Sequence, residues 1–363
     1  MANDKDRVWG CFIGGAIGDA LGYPIEFMQE DEIDATFGPH GIQTLEQAAD
    51  LLHEQQAIFS DDTQMTLFTA AGLIYGAEQH GTPEASDVWL AYREWFATQG
   101  NSTYLDDPAH PKLWLTSMDA MRHRRAPGNT CLYAIQGGVG GTILEPVNNS
   151  KGCGGVMRAA PVGIVAHCMR TREQFRNSHR YQWATGMAAE SAALTHGHPM
   201  GWLPAAVLAQ IVARSCACED GDSLAFLIEH SVRSVAAQYT SFAEAQVLVD
   251  MVMRAMELSR QSHATPEIDR AHIHELGEGW VGEEALCIAI YAALSYVDDF
   301  ASAIRCAVNH WGDSDSTGAI CGNILGAYLG FESVRQGFTL LKLEHIDLLL
   351  KVADDMIVLG DIA

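Results

Sequence analysis

The segments GCFIGGAIGDALG (residues 10–22) and GAICGNILGAYLG (residues 318–330) carry the clearest pattern in this chain. Glycine occupies every fourth position in both, at Gly10, Gly14, Gly18 and Gly22 and at Gly318, Gly322, Gly326 and Gly330. Residues four apart share one face of a helix, so each segment predicts a helix with a stripe of glycine along one side. A glycine inside a helix costs roughly 1 kcal/mol relative to alanine, a cost that close backbone packing would offset. We therefore predict that both helices are central and closely approached by a neighbour, the other striped helix being one candidate.

Apolar residues elsewhere recur mostly at spacings of three and four, which is the helical pattern, and strand signals are sparse. The predicted helices cover residues 6–22, 62–79, 84–98, 112–124, 155–167, 183–195, 203–216, 222–236, 241–260, 283–295, 298–309, 315–329 and 344–358. The stretch 262–280 has several His and Glu residues and few large apolar ones, so we predict a long surface loop there. No segment has the composition of a flexible linker. We predict a single all-α domain spanning residues 1–363.

Composition and charge restrict the classes of protein to which this chain could belong. The chain has 363 residues, of which 48% are hydrophobic, so it is rich enough in apolar residues to build a large core. Its net charge of −24 argues against a nucleic-acid groove and would suit a basic protein partner. The N-terminus does not have the pattern of a signal peptide, and no run of about 18 apolar residues predicts a membrane span. Nine scattered cysteines without a Cys-x-x-Cys pair indicate reduced thiols, so we predict a cytoplasmic protein.

Carboxylates and hydroxyls cluster where two of the predicted helices begin. The residues are Ser60, Asp61, Asp62 and Thr63 at one helix and Asp313, Ser314, Asp315 and Ser316 at the other. Either cluster alone can be read as an N-cap with acidic residues in the first turn. Together they offer the oxygen donors that Mg²⁺ and Mn²⁺ prefer, and four converging carboxylates would repel one another without a cation. Two ions about 3.5–4 Å apart would relieve that repulsion and orient an oxygen nucleophile. Both readings, capping and a binuclear metal centre, remain open on this evidence.

Two further segments carry weaker signals. The stretch NSKGCGGVMR (residues 149–158) lacks the Walker pattern, yet its backbone N–H groups could face a phosphate at a helix N-terminus. An ordinary turn before a helix is the alternative. His196 and His198 follow an apolar helix, and without cysteine or a third nearby histidine a zinc site is not indicated. We interpret these histidines as capping or substrate-contacting residues.

Five blocks of sequence, taken together, resemble the ADP-ribosylglycohydrolases, the family that includes the dinitrogen-reductase-activating glycohydrolase and the ADP-ribosylarginine hydrolases. They are GGAIGDALGYPIE (residues 14–26), SDDTQM (60–65), GCGGVMR (152–158), THGHP (195–199) and GDSDSTG (312–318). The blocks stand in the family's order, and the resemblance runs from about residue 10 to residue 355, nearly the whole chain. It implies a compact orthogonal bundle of helices with a binuclear metal cleft, and the hydrolysis of ADP-ribose from an acceptor, commonly arginine.

The resemblance also implies roles for individual residues. The implied metal ligands of two Mg²⁺ or Mn²⁺ ions are Ser60, Asp61, Asp62, Asp313, Asp315 and Ser316, with Asp315 bridging the ions. The implied catalytic carboxylates are Glu26, near the ribose, Asp61 and Asp315, and either Glu26 or Asp61 could be the general base. The implied substrate-binding residues are Gly152, Cys153, Gly154 and Gly155, as a diphosphate cradle, together with His196 and His198. This chain departs from the family pattern by having serine at 60 and 316, where threonine is usual, and Cys153 in the cradle.

Three functions follow as alternatives. The first is hydrolysis of arginine-linked ADP-ribose on a modified protein. The second is the same chemistry on another conjugate: O-acetyl-ADP-ribose, or serine- or nucleic-acid-linked ADP-ribose, the last being disfavoured by the negative charge. The third is a binding role in which the acidic protein blocks an ADP-ribosyltransferase, as immunity to a toxin, with or without hydrolysis.

Overall fold

The computed structural model describes residues 4–100, 113–219, 221–261 and 265–360. Within these ranges the chain is helical, and its only β pairing consists of isolated bridges, one of them between Gly152 and Val281. The all-α prediction is therefore confirmed. The α-helices are α1 (Asp4–Gly22), α2 (Glu30–Phe37), α3 (Leu45–Leu51), α4 (Asp61–His80), α5 (Ala85–Thr98), α6 (Asn129–Gln136), α7 (Ala160–Cys168), α8 (His179–Ala193), α9 (Pro199–Ala217), α10 (Leu224–Gln238), α11 (Glu244–Leu258), α12 (Pro266–Leu276), α13 (Gly282–Ser295), α14 (Phe300–Val308), α15 (Ser314–Leu329), α16 (Phe331–Gly337) and α17 (Ile346–Ile357).

The two glycine-striped helices, α1 and α15, pack directly on each other and form the most extensive contact between any two described elements. They run antiparallel: a Cβ added at Gly10 would lie 2.3 Å from the carbonyl oxygen of Gly326, and one added at Gly18 would lie 2.0 Å from that of Gly318. Real Cβ atoms do not approach carbonyl oxygens so closely, so only glycine allows the two backbones to meet. Both helices are buried along most of their length. The candidate functional site described below lies at one end of this helix pair.

A second central helix, α9, packs against α7, α8, α10, α13 and α15. It contains Pro204, and its residues are almost all buried. By length and composition α9 could cross a membrane, the one described helix of which this is true, but 89% of its most apolar window is covered by the rest of the protein. In this fold α9 is a core helix.

The predicted surface loop at 262–280 is wrong over most of its described part, because residues Pro266–Leu276 form α12. Proline at the first helical position suits a helix start. The His and Glu residues that suggested a loop lie on the outer side of this helix or are only partly covered. Two other polar residues, Asp269 and Arg270, are buried: Asp269 accepts hydrogen bonds from the hydroxyls of Tyr291 and Tyr296, and Arg270 pairs with Asp34. Tertiary polar contacts thus replace the apolar face on which a helix prediction relies.

The predicted helix at 112–124 is also wrong in its described part, which contains only two short 3₁₀ turns, Trp114–Ser117 and Asp119–Met121. The buried carboxylate of Glu94 binds the start of this segment. It accepts hydrogen bonds from the backbone N–H of Leu113, at 2.8 Å, and from the hydroxyl of Thr116. A side chain of α5 therefore accepts hydrogen bonds from two donors near the start of this segment. Short helices that the sequence pattern did not predict are α2, α3, α6 and α16.

Candidate active site

The antiparallel pairing of α1 and α15 brings the end of one helix to the start of the other. A Cβ added at Gly22 would lie 2.3 Å from the carbonyl oxygen of Ser314. The hydroxyl of Ser314 donates to the carbonyl of Gly22 at 3.0 Å. Because α1 is followed by the 3₁₀ turn Tyr23–Ile25, the carboxylate of Glu26 comes next to the segment that begins α15.

Asp19 fixes the start of α4 at the same place. Its Oδ1 atom accepts the backbone N–H of Ser60 at 2.8 Å. Its Oδ2 atom accepts both the N–H and the hydroxyl of Thr63, at 2.9 and 2.5 Å. Asp19 is fully buried on α1 and so ties α4 to the central helix pair. The carboxylates of Asp61 and Asp62, which lie between the two tethered residues, are positioned by this contact.

The carboxylates from the three elements converge on one cleft with a volume of about 210 Å³. Glu26, Asp313 and Asp315 each place one oxygen within 4.8 Å of the others. On the α4 side, Asp62 accepts the hydroxyl of Ser316 at 2.9 Å. The cleft is lined by Glu26, Asp61, Asp62, Ala126, Gly128, Asn129, Thr130, Cys131, Gly152, Cys153, Gly154, Met157, His196, Trp280, Asp313, Asp315 and Ser316.

The electrostatics of this cleft favour a cation. Burial, together with the charges of Asp313, Asp61 and Asp19, raises the pKa of Glu26 to about 9. Burial likewise raises the pKa of Asp61 to about 8 and that of Asp315 well above its usual value. Among the described atoms, the buried Oε2 of Glu26 has no hydrogen-bond partner. A hard divalent cation bound by oxygen ligands would supply that missing partner and relieve the repulsion, so the donor set fits Mg²⁺ or Mn²⁺.

These raised pKa values predict how the metal-stripped protein responds to pH. Glu26 has a pKa of about 9 against an ordinary 4.5, and Asp61 about 8 against 3.8, so the folded state holds these protons more tightly than the unfolded state. The contribution of these two groups to stability is present at low pH and is lost as the pH rises through this window, since each unit of upward shift is worth about 1.4 kcal/mol. In EDTA, we expect the Tm to fall by at least about 3 °C between about pH 5 and pH 9. Saturating Mg²⁺ should flatten this fall; an equal slope with and without metal would contradict the explanation.

The glycine-rich loop lies beside the carboxylates. The thiol of Cys153 donates to Oδ2 of Asp313 at 2.7 Å, and its backbone N–H donates to the carbonyl of Trp280 at 3.2 Å. The N–H of Gly152 donates to the hydroxyl of Ser150 at 3.3 Å. Two of the four amides of the predicted diphosphate cradle are therefore engaged inside the protein. The third, that of Gly154, belongs to a residue that lines the cleft.

His196 is held below this loop as a neutral hydrogen-bond donor. Arg158, which can only donate, gives a hydrogen bond to the hydroxyl oxygen of Thr195 at 2.6 Å. The Thr195 hydroxyl in turn lies 2.8 Å from Nδ1 of His196 and 3.5 Å from the carbonyl of Ala192, and we assign its proton to the shorter contact, with Nδ1. Nδ1 is then an acceptor, and Nε2 carries the ring proton and faces Gly154. Burial, helped by the charge of Arg158, lowers the pKa of His196 to about 3, which keeps the ring neutral.

Replacing Thr195 tests this arrangement. Thr195→Val removes both the acceptor for Arg158 and the donor to Nδ1 of His196 while nearly conserving volume. We expect a loss of about 1–3 kcal/mol of folding free energy, because buried donors lose their partner. ¹⁵N chemical shifts should show His196 leaving the single Nε2–H form. Thr195→Ser, which keeps the hydroxyl, should retain that form; a variant Thr195→Val with an unchanged ¹⁵N spectrum would refute the assignment.

The structure separates the predicted site residues into two groups. Ten of them line the cleft: Glu26, Asp61, Asp62, Gly152, Cys153, Gly154, His196, Asp313, Asp315 and Ser316. Three lie beside it. Ser60 is buried as the N-cap of α4 and accepts the N–H of Asp62, Gly155 packs against the carbonyl of Gly201, and His198 caps α9 by accepting the N–H of Met200 at 3.0 Å.

No role for Asp19 or Trp280 was predicted from the sequence. The signal for Asp19 was an acidic residue inside a glycine-striped, otherwise apolar helix, where a charge must find buried partners. Trp280 is an isolated aromatic residue in a stretch that was predicted to be a surface loop. Both residues can be noticed in the sequence, but their roles become apparent only from the packing of three distant segments.

An all-helical chain with a carboxylate-lined cleft beside a glycine-rich turn is the architecture that the resemblance implied. The family model described as ADP-ribosylglycohydrolase matches residues 1–361, and the chain belongs to this family. It is therefore a glycohydrolase of the kind that acts on ADP-ribose conjugates.

Individual relatives match over most of the chain. The chain is 26% identical over 340 residues to an ADP-ribosyl-[dinitrogen reductase] glycohydrolase of Rhodospirillum rubrum, covering 92% of this chain and 89% of the relative. It is 24% identical over 340 residues to the uncharacterized protein YegU of Escherichia coli, covering 91% and 89% of the two chains. A solved structure titled "ADP-ribosylglycohydrolase-related protein complex" shares the fold, with a TM-score of 0.54 at 18% identity over 99% of this chain and all of that one.

Proposed function

We propose that this protein hydrolyses the glycosidic bond between ADP-ribose and a protein arginine, reversing mono-ADP-ribosylation with the help of two Mg²⁺ or Mn²⁺ ions. The observation that carries the proposal is the set of buried carboxylates around the unpartnered Oε2 of Glu26. Such a set is costly in the absence of a cation. The family relationship supplies the ADP-ribose part of the proposal.

The metal ligands would form two neighbouring groups. One is Glu26, Asp313 and Asp315, whose oxygens already lie within 4.8 Å of one another. The other is centred on Asp62 and Ser316, which are joined by a hydrogen bond. The implied ligand Ser60 lies directly before this second group as the N-cap of α4. When bound, divalent cations would orient ribose hydroxyls and lower the pKa of a bound water.

The protein's own groups would provide the acid–base chemistry. Cleavage at the anomeric carbon develops positive charge on the ribose, which the surrounding carboxylates stabilise. Glu26 and Asp61 are the two candidates to take the proton of the attacking water, since the carboxylates of both line the cleft. The leaving guanidine needs a proton in return, and the protonated member of the same set can give it.

The diphosphate would lie toward the glycine-rich loop. His196 offers its Nε2–H there as a neutral donor, and Gly154 lies directly against the ring, 3.0 Å from Cε1 to an added Cβ. A neutral donor binds an anion without adding a charge that the metal ions would repel. We assign His196 a binding role rather than a proton-transfer role, because its low pKa makes it a poor base.

The direct test is to incubate the purified protein with an arginine-ADP-ribosylated protein in Mg²⁺, in Mn²⁺ and in EDTA, and to quantify released ADP-ribose. The proposal expects release in at least one metal and none in EDTA. Release from serine-linked substrate or from O-acetyl-ADP-ribose, but not from arginine, would assign the same chemistry to another acceptor. No release from any conjugate by the metal-loaded protein would refute the proposal.

A binding role toward an ADP-ribosyltransferase is a second candidate, favoured by the net charge of −24, which would attract a basic enzyme. Chelation separates the two roles. Blocking by contact should survive EDTA, whereas reversal by hydrolysis should not. Adding the protein with EDTA to an arginine-specific transferase therefore measures blocking alone, and unchanged transferase activity would exclude this role.

We also propose that the protein works in the cytoplasm. All nine cysteines are free thiols in the structure, as expected for a reducing compartment. Fractionation of cells expressing the tagged full chain would test this location.

A further inference from the structure

A short run of basic side chains lies on the surface next to the cleft. Arg122, His123 and Arg124, here called the basic rim, are all exposed, and with Arg125 they form the longest run of basic residues in the sequence. The chain has 22 Lys and Arg residues against 46 Asp and Glu residues, so a local excess of positive charge is unusual for this protein. Directly after the run, Ala126 lines the cleft.

The backbone of the basic rim is fixed to α4. The carbonyl of His123 accepts the side-chain amide of Gln64 at 2.9 Å. The carbonyl of Arg125 accepts the backbone N–H of Asp61 at 3.1 Å. The rim is therefore held against the helix that brings Asp61 to the cleft, and its place relative to the cleft does not depend on a ligand.

The side chains of the run divide into two kinds. Arg125 is buried, pairs with Glu344 and donates to the carbonyl of Phe59 at 2.8 Å, so its charge serves the fold. Within the described part of the chain, Arg122 and Arg124 have neither an ion pair nor a side-chain hydrogen bond. The two exposed guanidinium groups thus face solvent beside the cleft and are available to an anionic group of a partner.

We propose that the basic rim is a docking surface for an acidic segment of the ADP-ribosylated protein, close in sequence to the modified arginine. This inference rests on the proposed function. Arg124 and Arg122 lie two and four residues before Ala126, so their Cα atoms lie within about 7 and 14 Å of that residue of the cleft lining, since a chain spans at most about 3.6 Å per residue. The same spacing applies to a bound polypeptide. Carboxylates two to four residues from the modified arginine can therefore reach the rim.

The charge of the cleft favours a protein over a nucleic acid as the occupant of the rim. The cleft is lined by the carboxylates of Glu26, Asp61, Asp62, Asp313 and Asp315. Two divalent cations would balance four of these five charges, so the cleft stays unfavourable for the evenly spaced phosphates of a nucleic acid. A polypeptide can place its acidic residues at the rim and only its modified arginine at the cleft.

The test uses three synthetic peptides of equal length, each with one ADP-ribosylated arginine. The second to fourth positions on both sides of this arginine are glutamate, alanine or lysine. Each peptide is assayed with the metal-loaded wild-type protein, with the double variant Arg122→Glu and Arg124→Glu, and with the control Arg176→Glu. Arg176 is exposed and precedes α8, whose 15 residues place it about 20 Å from His196 at the other end of that helix.

We expect the wild-type kcat/KM for the glutamate peptide to exceed that for the lysine peptide by about 5- to 50-fold, as for several exposed charge pairs acting together. The double variant should lose or reverse this preference, whereas Arg176→Glu should keep it. Salt at 0.5 M should remove most of the wild-type preference, because exposed charges are screened. The kcat/KM for the alanine peptide should change by less than about 2-fold in the double variant, which also shows that the variant folds.

Other outcomes would contradict the inference. Equal wild-type rates on the three peptides would overturn it. A double variant that weakens the alanine peptide as strongly as the glutamate peptide would place the rim at the ADP-ribose itself and overturn it too. Stronger inhibition by a single-stranded DNA oligomer than by the unmodified glutamate peptide would assign the rim to nucleic acid. A wild-type protein that releases ADP-ribose from other conjugates but from none of these peptides would refute the proposed function, and the inference with it.

Discussion

Asp61→Ala should reduce the rate of ADP-ribose release by at least about 10³-fold, as expected for a group that acts as general base or metal ligand. Asp61 lines the cleft, and its Oδ2 accepts the N–H of Gly128 at 3.2 Å. The variant should still fold, since burial already makes this charge unfavourable in the metal-free protein. Initial rates with saturating Mg²⁺ or Mn²⁺, together with circular dichroism, give the result.

The matched control is Asp347→Ala. Asp347 is an exposed carboxylate in the first turn of α17, so its removal takes away the same favourable interaction with a helix N-terminus but touches no part of the cleft. This control should keep full activity. If Asp61→Ala turned over as fast as Asp347→Ala, Asp61 would be only a residue of the first helical turn, and the assignment of the site would be wrong.

Gly18→Ala should destabilise the protein by at least about 2 kcal/mol, although alanine favours a helix by roughly 1 kcal/mol over glycine. The added Cβ would lie 2.0 Å from the carbonyl oxygen of Gly318 and 2.2 Å from its carbonyl carbon. Backbone cannot move aside as a flexible side chain can, so α1 and α15 must separate. Because Asp19 follows directly, metal binding should weaken along with stability. Urea unfolding followed by circular dichroism measures the first effect, and calorimetry with Mn²⁺ the second.

Gly186→Ala is the corresponding control within the same chain. Gly186 lies inside α8, and an added Cβ there would meet nothing within 4 Å. The same substitution should therefore stabilise the protein, by up to about 1 kcal/mol, because only helix propensity changes. Two alanine variants of equal stability would mean that α1 and α15 are not in close backbone contact.

The glycine stripes show what the sequence could predict and what it could not. Their spacing predicted two central helices with close neighbours, because a repeat of four is a local property of a helix. That α1 and α15 meet each other, and in antiparallel order, depends on packing between segments some 300 residues apart, which no local pattern contains. The single-domain prediction for residues 1–363 stays a prediction.

Errors in the helix predictions have one physical origin. The α12 segment was predicted to be a loop because it has several His and Glu residues and few large apolar ones, but its inward face carries Asp269 and Arg270, which form hydrogen bonds and an ion pair with distant residues. The segment after residue 112 was taken for a helix, but Glu94 of α5 accepts hydrogen bonds from its donors. In both cases a buried polar contact from a distant element overrides the local hydrophobic pattern.

The candidate site, like the fold, could be predicted from the sequence only in part. Clusters of acids and hydroxyls at helix starts are visible in the sequence, and the structure brings Asp61, Asp62, Asp313, Asp315 and Ser316 to one cleft. The role of His198 as a cap, rather than a cleft residue, was one of two open readings. What the sequence could not show is Asp19, which joins α1 to α4, and the position of Trp280 at the cleft, since both depend on three-dimensional contacts.

We propose that the α1–α15 pair and the start of α4 bring together oxygen donors for two metal ions. Crystals grown or soaked in Mn²⁺, with diffraction data collected near the manganese absorption edge, test it most directly. We expect two anomalous peaks about 3.5–4 Å apart in the cleft. One should be bounded by Glu26, Asp313 and Asp315, and the other should lie beside Asp62 and Ser316. A cleft without an anomalous peak, or with a single ion at full Mn²⁺ saturation, would contradict it.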